Sequence, residues 1–163
     1  LYDGFLLDME LSNILSEFES QDILIVIDAC YSGSFLDVAE SISGGIIITA
    51  STADEVTYDI GFFGNTIFAE YFIDRGLSQG LADENGDGAV SIEEAFNYAY
   101  ENCADPPGTL TATHPQLNHA YEYTESIELY VDKKTNEYGE VPWFSLITAG
   151  AVFSGVVYKK KDY

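Results

Sequence analysis

A single cysteine directly follows a run of aliphatic residues. Residues 23–27 read ILIVI, and residues 28–34 read DACYSGS, with Cys30 among small side chains. Ligands of open α/β sheets bind at the carboxyl ends of the strands, so Cys30 lies where a thiolate can act as a nucleophile. A lone cysteine is also commonly an inert core residue. Position alone therefore leaves both interpretations open.

The surrounding residues resemble the nucleophile segment of caspase–hemoglobinase fold cysteine peptidases, the group of legumains, metacaspases, caspases and gingipains. In that segment a hydrophobic strand leads to an acidic residue, a small residue, Cys, any residue, Ser and Gly, which correspond here to residues 28–33. Residues 46–59, IIITASTADEVTYD, resemble the next strand and loop of legumain-like members. Residues 114–118, HPQLN, are similar to a PQL element of bacterial and archaeal caspase-like domains.

The resemblance implies a cysteine endopeptidase that acts on a peptide or protein substrate. Cys30 would attack the scissile carbonyl, and its backbone N–H would contribute to the oxyanion hole. Asp28 would line the S1 pocket and attract a basic or amide side chain at P1, with Thr57 and Asp59 as further pocket residues. Asp28 also suits a helix or turn cap, and a different thiol hydrolase on a similar α/β sheet is an alternative.

The general base that this family requires is not found at its expected place. The family histidine, which deprotonates or orients the thiol, belongs on the strand before the cysteine strand, and so would precede Leu1. His114 and His119 both lie downstream and fit structural or surface roles. We expect a missing N-terminal segment of the same domain to supply the histidine, so that these 163 residues alone have little activity. The alternative is a catalytically inactive, calcium-binding interaction module.

A second motif predicts a Ca²⁺ site. Residues 83–94 read DENGDGAVSIEE, which matches the twelve-residue EF-hand loop, with Gly88 at the sharp turn of position six. The ligands at positions 1, 3, 5, 7, 9 and 12 would be Asp83, Asn85, Asp87, Ala89 (through its carbonyl), Ser91 and Glu94. An acidic turn without metal is the alternative.

The elements around these motifs predict an α/β fold with a mostly parallel sheet flanked by helices. Apolar spacing indicates helices over 8–19, with Asp8 as N-cap, and over 66–75. Two continuous aliphatic runs, 23–27 and 46–50, suit strands buried on both faces and joined by a right-handed crossover. A short helix is expected near 35–41.

The exit helix of the calcium loop is expected over 92–102, and its entering helix is doubtful because glycines interrupt it. The alternation over 125–132 indicates a half-exposed strand.

Composition restricts the function and divides the chain. With 28 acidic against 6 basic residues and a net charge of −22, binding to nucleic acid is excluded. Two cysteines do not make a disulfide framework. We expect a caspase-like domain over 1–132, a polar linker over 133–141 and a hydrophobic tail over 142–163. Within that tail the uncharged residues 142–158, followed by three lysines, predict a membrane anchor and an extracellular or cell-surface domain. A buried helix or strand pair is the alternative for the tail.

Overall fold

The computed structural model describes residues 7–18, 23–42, 45–60, 65–108, 110–119, 128–129, 148–149 and 151–152. Its strands are β1 (Ile23–Ile27), β2 (Gly45–Thr49), β3 (Asp59–Ile60), β4 (Asn65–Thr66), β5 (Val90–Ser91), β6 (Gln116–His119), β7 (Glu128–Leu129), β8 (Thr148–Ala149) and β9 (Ala151–Val152). Its helices are α1 (Asp8–Leu15), a 3-10 helix (Ser32–Ser41), α2 (Ile67–Ala69, continuing as a π-helix over Glu70–Ser78) and α3 (Ile92–Ala104).

The central sheet has the strand order β1-β2-β6 in the described part of the chain. β1 and β2 are parallel, in register from Ile23 opposite Gly45 to Ile27 opposite Thr49, as the two aliphatic runs predict. β6 is antiparallel to β2. The expectation of a mostly parallel sheet is therefore corrected: the fold is mixed α/β, and the described central sheet has one parallel and one antiparallel strand pair. The polar sequence of β6 contains no periodic signal from which its direction could be read.

Both faces of the central sheet are covered, which explains why β1 and β2 are continuously apolar. Leu24, Val26 and the facing residues of β2 pack with α2 and α3 in the larger core cluster. Ile23 and Ile27 contribute to the smaller cluster on the other face, beside α1 and the 3-10 helix.

α2 and α3 form the layer over the first face. Phe68 and Phe72 of α2 are fully buried, with ring centroids 5.2 Å apart and nearly parallel planes. Ala95 and Ala99 give α3 a small-residue face against the core. The structure confirms the predicted helix beginning near residue 66 and extends it to Ser78, so the calcium loop does have a helix before it.

α1 is shorter than its apolar stripe predicts. The helix ends at Leu15, with Leu11 and Leu15 packed in the smaller core cluster. Ile14 and Phe18, which the periodicity assigned to the same buried face, are about half exposed at 51% and 47%. The predicted N-cap is also displaced by one residue, because the cap is Leu7, whose N–H donates to Glu10 Oε2 at 3.1 Å.

Only isolated pieces of the carboxyl-terminal region are described. The predicted strand over 125–132 is represented by β7, which pairs antiparallel with β5 of the calcium loop. In the tail, β8 and β9 pair antiparallel, so the chain is extended at these four residues. The rest of 142–158 and the whole of 133–141 lie outside the described residues. No helix in the described part of the chain is long and apolar enough to cross a membrane, and the anchor stays a prediction.

Candidate active site

Cys30 lies in the turn of residues 28–34, called here the nucleophile turn, which follows β1. Its side chain is exposed, which rules out an inert core position. The thiol Sγ is 3.5 Å from the Thr57 carbonyl oxygen and 3.7 Å from Thr57 Oγ1. The structure thus brings Cys30 and Thr57, two of the predicted site residues, into contact.

Tyr31 gives the nucleophile turn its shape. Its φ of 60° lies in the left-handed region, which a non-glycine residue occupies at a cost in free energy. The Tyr31 N–H donates to the Glu55 carbonyl oxygen at 2.7 Å. Its own carbonyl accepts from Ser34 Oγ at 2.8 Å and from the Ser34 N–H at 3.2 Å. These bonds occupy both the N–H and the carbonyl of Tyr31.

The nucleophile turn is bound to the loop of residues 50–59, called here the pocket loop. Ser32 and Ser51 hold each other through reciprocal bonds of 3.3 Å between each hydroxyl and the other residue's N–H, and Ser51 Oγ donates to the Ala29 carbonyl at 3.2 Å. Gly33 is required by this close approach, because a Cβ there would lie 2.6 Å from the Ala53 nitrogen. Ser32 and Gly33 of the motif therefore join the nucleophile turn to the pocket loop.

Asp28 is almost wholly buried, at 4% exposure. Thr66 Oγ1 donates a short hydrogen bond to its Oδ2, and the same hydroxyl accepts the Ala69 N–H as N-cap of α2. Asp28 Oδ1 has no hydrogen-bond partner among the described residues. Burial raises the pKa of Asp28 to about 6; the Thr66 hydroxyl opposes this rise, and the Asp59 carboxylate adds to it.

The remaining predicted pocket residue, Asp59, lies across from Thr66 in the β3–β4 pair. It is exposed, and its charge acts on Asp28. The structure thus places Asp28, Cys30, Thr57 and Asp59 around the carboxyl ends of β1 and β2. Sequence reasoning did not identify Thr66, because its neighbours in sequence give no signal that it would meet a residue 38 positions earlier.

The two histidines occupy different ends of the sheet. His119 is exposed and pairs with Ile46, at the amino end of β2, so it lies at the opposite end from the nucleophile turn. His114 precedes β6 at the same end as Cys30, and its ring Nδ1–H donates to Glu55 Oε1 at 2.5 Å. Its ring is therefore engaged by a carboxylate, and Glu55 is a second residue of this region that sequence reasoning missed.

Cys103, on α3, contrasts with Cys30 in its exposure. It is fully buried in the larger core cluster, and burial raises the pKa of its thiol to about 12. A thiol that stays protonated and inaccessible is chemically inert, so Cys30 is the reactive candidate of the two.

The predicted calcium loop folds tightly on itself. Asp83 accepts the N–H groups of Gly86 and Gly88 at 2.8 and 3.1 Å, one at each carboxylate oxygen. Asn85 and Asp87 each accept the N–H two residues on, both at 2.8 Å. Gly86 and Gly88 have φ of 74° and 92°, which glycine adopts without strain.

Glu94 closes the calcium loop. Its Oε2 accepts the Ser91 N–H at 2.8 Å and its Oε1 accepts the Asn85 N–H at 3.3 Å, while Ser91 Oγ caps α3. Over the described residues, no three or more His, Cys, Asp and Glu side chains are grouped to hold a metal ion. The loop's own donors are carboxylate, amide, hydroxyl and backbone oxygens, the hard ligands that suit Ca²⁺.

Comparison with known proteins assigns the chain to a class and then to a family. A mixed α/β fold with an exposed cysteine after a buried strand of the sheet agrees with the caspase-like cysteine peptidases. Residues 3–128 match the model of the peptidase C13 family, and the chain belongs to that family. This confirms the resemblance to legumain-like peptidases of the caspase–hemoglobinase group. No curated protein and no solved structure matches the sequence.

Proposed function

We propose that the protein is a cysteine endopeptidase in which Cys30 attacks the scissile carbonyl of a peptide substrate. The observation that carries the proposal is the exposed Cys30 thiol at the carboxyl end of β1, in a chain of a cysteine peptidase family. The attack forms a thioester between Sγ and the acyl carbon and releases the amine, and water then hydrolyses the thioester. The Cys30 N–H stabilises the oxyanion of each tetrahedral intermediate.

The general base in this proposal is a histidine outside the 163 residues. His119 lies at the far end of the sheet. His114 belongs to the PQL-like element after the cysteine, which does not match the family's catalytic position before the cysteine strand. The base takes the thiol proton and later delivers it to the departing amine, so protons balance over the cycle.

Asp28 selects the P1 residue in this proposal, with Thr57 and Asp59 beside it. Asp28 Oδ1 is a buried acceptor without a partner in the described part of the chain, a costly state that an N–H donor from a substrate side chain would relieve. A P1 lysine, arginine or asparagine offers such a donor.

Peptidyl acyloxymethyl ketones test this function on the full natural chain. With lysine, arginine or asparagine at P1, we expect alkylation of Cys30 and none of Cys103, located by peptide mass mapping. Asp28→Asn should slow labelling by the basic probes much more than by iodoacetamide, which has no P1 group. Equal labelling of both variants by every probe would overturn the role of Asp28. Failure of Cys30 to react faster with any peptide probe than with iodoacetamide would favour the inactive interaction module.

We also propose that residues 83–94 bind one Ca²⁺ ion that braces the loop between α2 and α3. The ligands would be the oxygens of Asp83, Asn85, Asp87, Ala89, Ser91 and Glu94, and the supporting observation is that Asp83 and Glu94 both fold back over the loop. After bound metal is removed with a chelator, adding Ca²⁺ should raise the melting temperature of the protein. Glu94→Gln should remove that rise, whereas Glu84→Gln, an exposed position outside the ligand set, should retain it. No rise in the parent protein would contradict the site.

For the tail, we propose a membrane anchor over residues 142–158 that holds the domain at the cell surface. Its support is composition alone, namely an uncharged apolar run followed by three lysines. In vesicle flotation, the full chain should float with liposomes and a chain ending at residue 141 should not. Equal behaviour of the two chains would contradict the anchor.

A further inference from the structure

Glu55 lies at the centre of contacts that join three separate segments. Its backbone carbonyl accepts the Tyr31 N–H of the nucleophile turn at 2.7 Å. Its Oε2 accepts the Thr52 N–H of the pocket loop at 3.2 Å and the His114 N–H at 3.1 Å. Its Oε1 accepts the His114 ring Nδ1–H at 2.5 Å. The main chain of Glu55 therefore holds the turn beside Cys30, and its side chain is anchored by His114.

We propose that Glu55 and His114 are a positioning pair that holds the nucleophile turn and the pocket loop in their reactive arrangement. The pair acts through Tyr31 on one side and Thr57 on the other. Tyr31 follows Cys30 and has the costly left-handed conformation that its hydrogen bonds must maintain. Thr57, two residues after Glu55, contacts the Cys30 thiol.

The pair is suited to this role because several hydrogen bonds at once fix the position of the Glu55 carboxylate. Two carboxylate oxygens bind three N–H donors, and charge-assisted hydrogen bonds are shorter and stronger than neutral ones. The Tyr100 ring, from α3, packs against the His114 ring in an edge-type contact, with centroids 6.4 Å apart and planes inclined by 61°. Burial raises the pKa of Glu55, but the bonds from His114 and Thr52 outweigh it, so the pKa lies below its usual range.

Amide hydrogen exchange, measured by NMR on the full chain, tests whether Glu55 and His114 hold the nucleophile turn in place. Glu55→Ala and His114→Ala should each lower the protection of the Tyr31 amide by about tenfold or more, because local opening becomes easier. Protection of the Ile47 amide in β2 should stay unchanged, which separates local from global loosening. His119→Ala, an exposed histidine on β6 away from Glu55, is the matched control and should leave the Tyr31 amide unaltered. Unchanged Tyr31 protection in both alanine variants would overturn the proposal.

Cys30 labelling tests the functional part, which rests on the proposed function. Glu55→Ala should slow labelling by the peptide probe by about tenfold at saturation with little change in the half-saturating concentration, since the pair touches no substrate. Glu55→Gln keeps an acceptor for the His114 and Thr52 amides and should restore most of the rate. Loss of Tyr31 protection without any loss of rate would contradict a positioning role, as would equal losses in the Ala and Gln variants. A parent protein that no peptide probe labels would count against the proposed function, and the exchange comparison would still decide whether the pair holds the turn.

Discussion

Asp28 is buried at a cost in folding free energy, and a hydroxyl group from another element offsets part of that cost. A nearly buried carboxylate, one oxygen of which has no hydrogen-bond partner among the residues that the structure describes, destabilises the folded state because the lost hydration is not replaced. Thr66 compensates part of that cost at the other oxygen, and it does so while capping α2. Because the hydroxyl already accepts the Ala69 N–H, its own hydrogen is directed to Asp28. The protonation state of Asp28 therefore depends on Thr66, a residue from a different element.

Thr66→Val should raise the pKa of Asp28 further above its present value of about 6. The valine side chain is nearly isosteric but lacks the hydroxyl, and losing a hydrogen bond to a charged group corresponds to about one pKa unit or more. The measurement is the titration of ¹³C-labelled aspartate carboxyl carbons, with Asp28→Asn for assignment. Thr66→Ser should leave the titration close to that of the parent, and Ile67→Val controls for loosening of α2. A Val variant that titrates like the parent would contradict the role of Thr66.

Gly33→Ala should destabilise the protein by about 1–3 kcal/mol, the usual cost of forcing an extra carbon into a filled space. The new Cβ would meet the backbone of Thr52 and Ala53 at 2.6 Å, and backbone cannot rotate away as a side chain can. Urea unfolding measures the change, and Asp37→Ala, at an exposed position of the 3-10 helix, is the control. If Gly33→Ala unfolds at the same urea concentration as the parent, the close packing of Gly33 against the pocket loop is contradicted.

The elements divide into those that the sequence predicts and those that only tertiary contacts define. β1 and β2 have continuous aliphatic runs and α2 has helical apolar spacing, and the structure confirms all three elements. α1 ends earlier than its stripe indicates, and two residues of that stripe, Ile14 and Phe18, are about half exposed instead of packed. β6 pairs antiparallel with β2, a direction that its short, mostly polar sequence does not predict. Of the site, the cysteine and its acidic neighbour could be predicted, whereas Glu55–His114 joins residues 59 positions apart and leaves no local signal.

The contact between the pocket loop and the segment before β6 should make the fold sensitive to acid. The pKa of Glu55 is lower in the folded state, so its stabilisation is present above its unfolded value near 4.5 and is lost as pH falls through the folded value. Free energies of unfolding measured between pH 6 and pH 3 should therefore fall more steeply for the parent than for Glu55→Gln. Parallel curves for the two proteins would show that the ionised Glu55 adds nothing to stability.

At the scale of the whole molecule, the dominant property is a net charge of −22. Self-repulsion of that size destabilises the compact state, and dissolved salt screens it. The melting temperature, measured with a chelator present to remove divalent ions, should therefore rise as sodium chloride is added. Neutralising exposed acids such as Asp37 and Glu40 should make the rise smaller. A melting temperature that falls with salt would mean that attractive ion pairs outweigh the repulsion.

The central claim for the whole molecule is that Cys30 forms a thioester with a peptide acyl group. The most direct measurement traps that intermediate, by mixing the full natural chain with an activated ester of a peptide ending in lysine, quenching in acid and mapping the adduct by mass spectrometry. The account predicts a mass increase of one acyl group on the peptide that contains Cys30, and none in Cys30→Ser. An acyl group found on Cys103, or the same mass increase in Cys30→Ser, would contradict it.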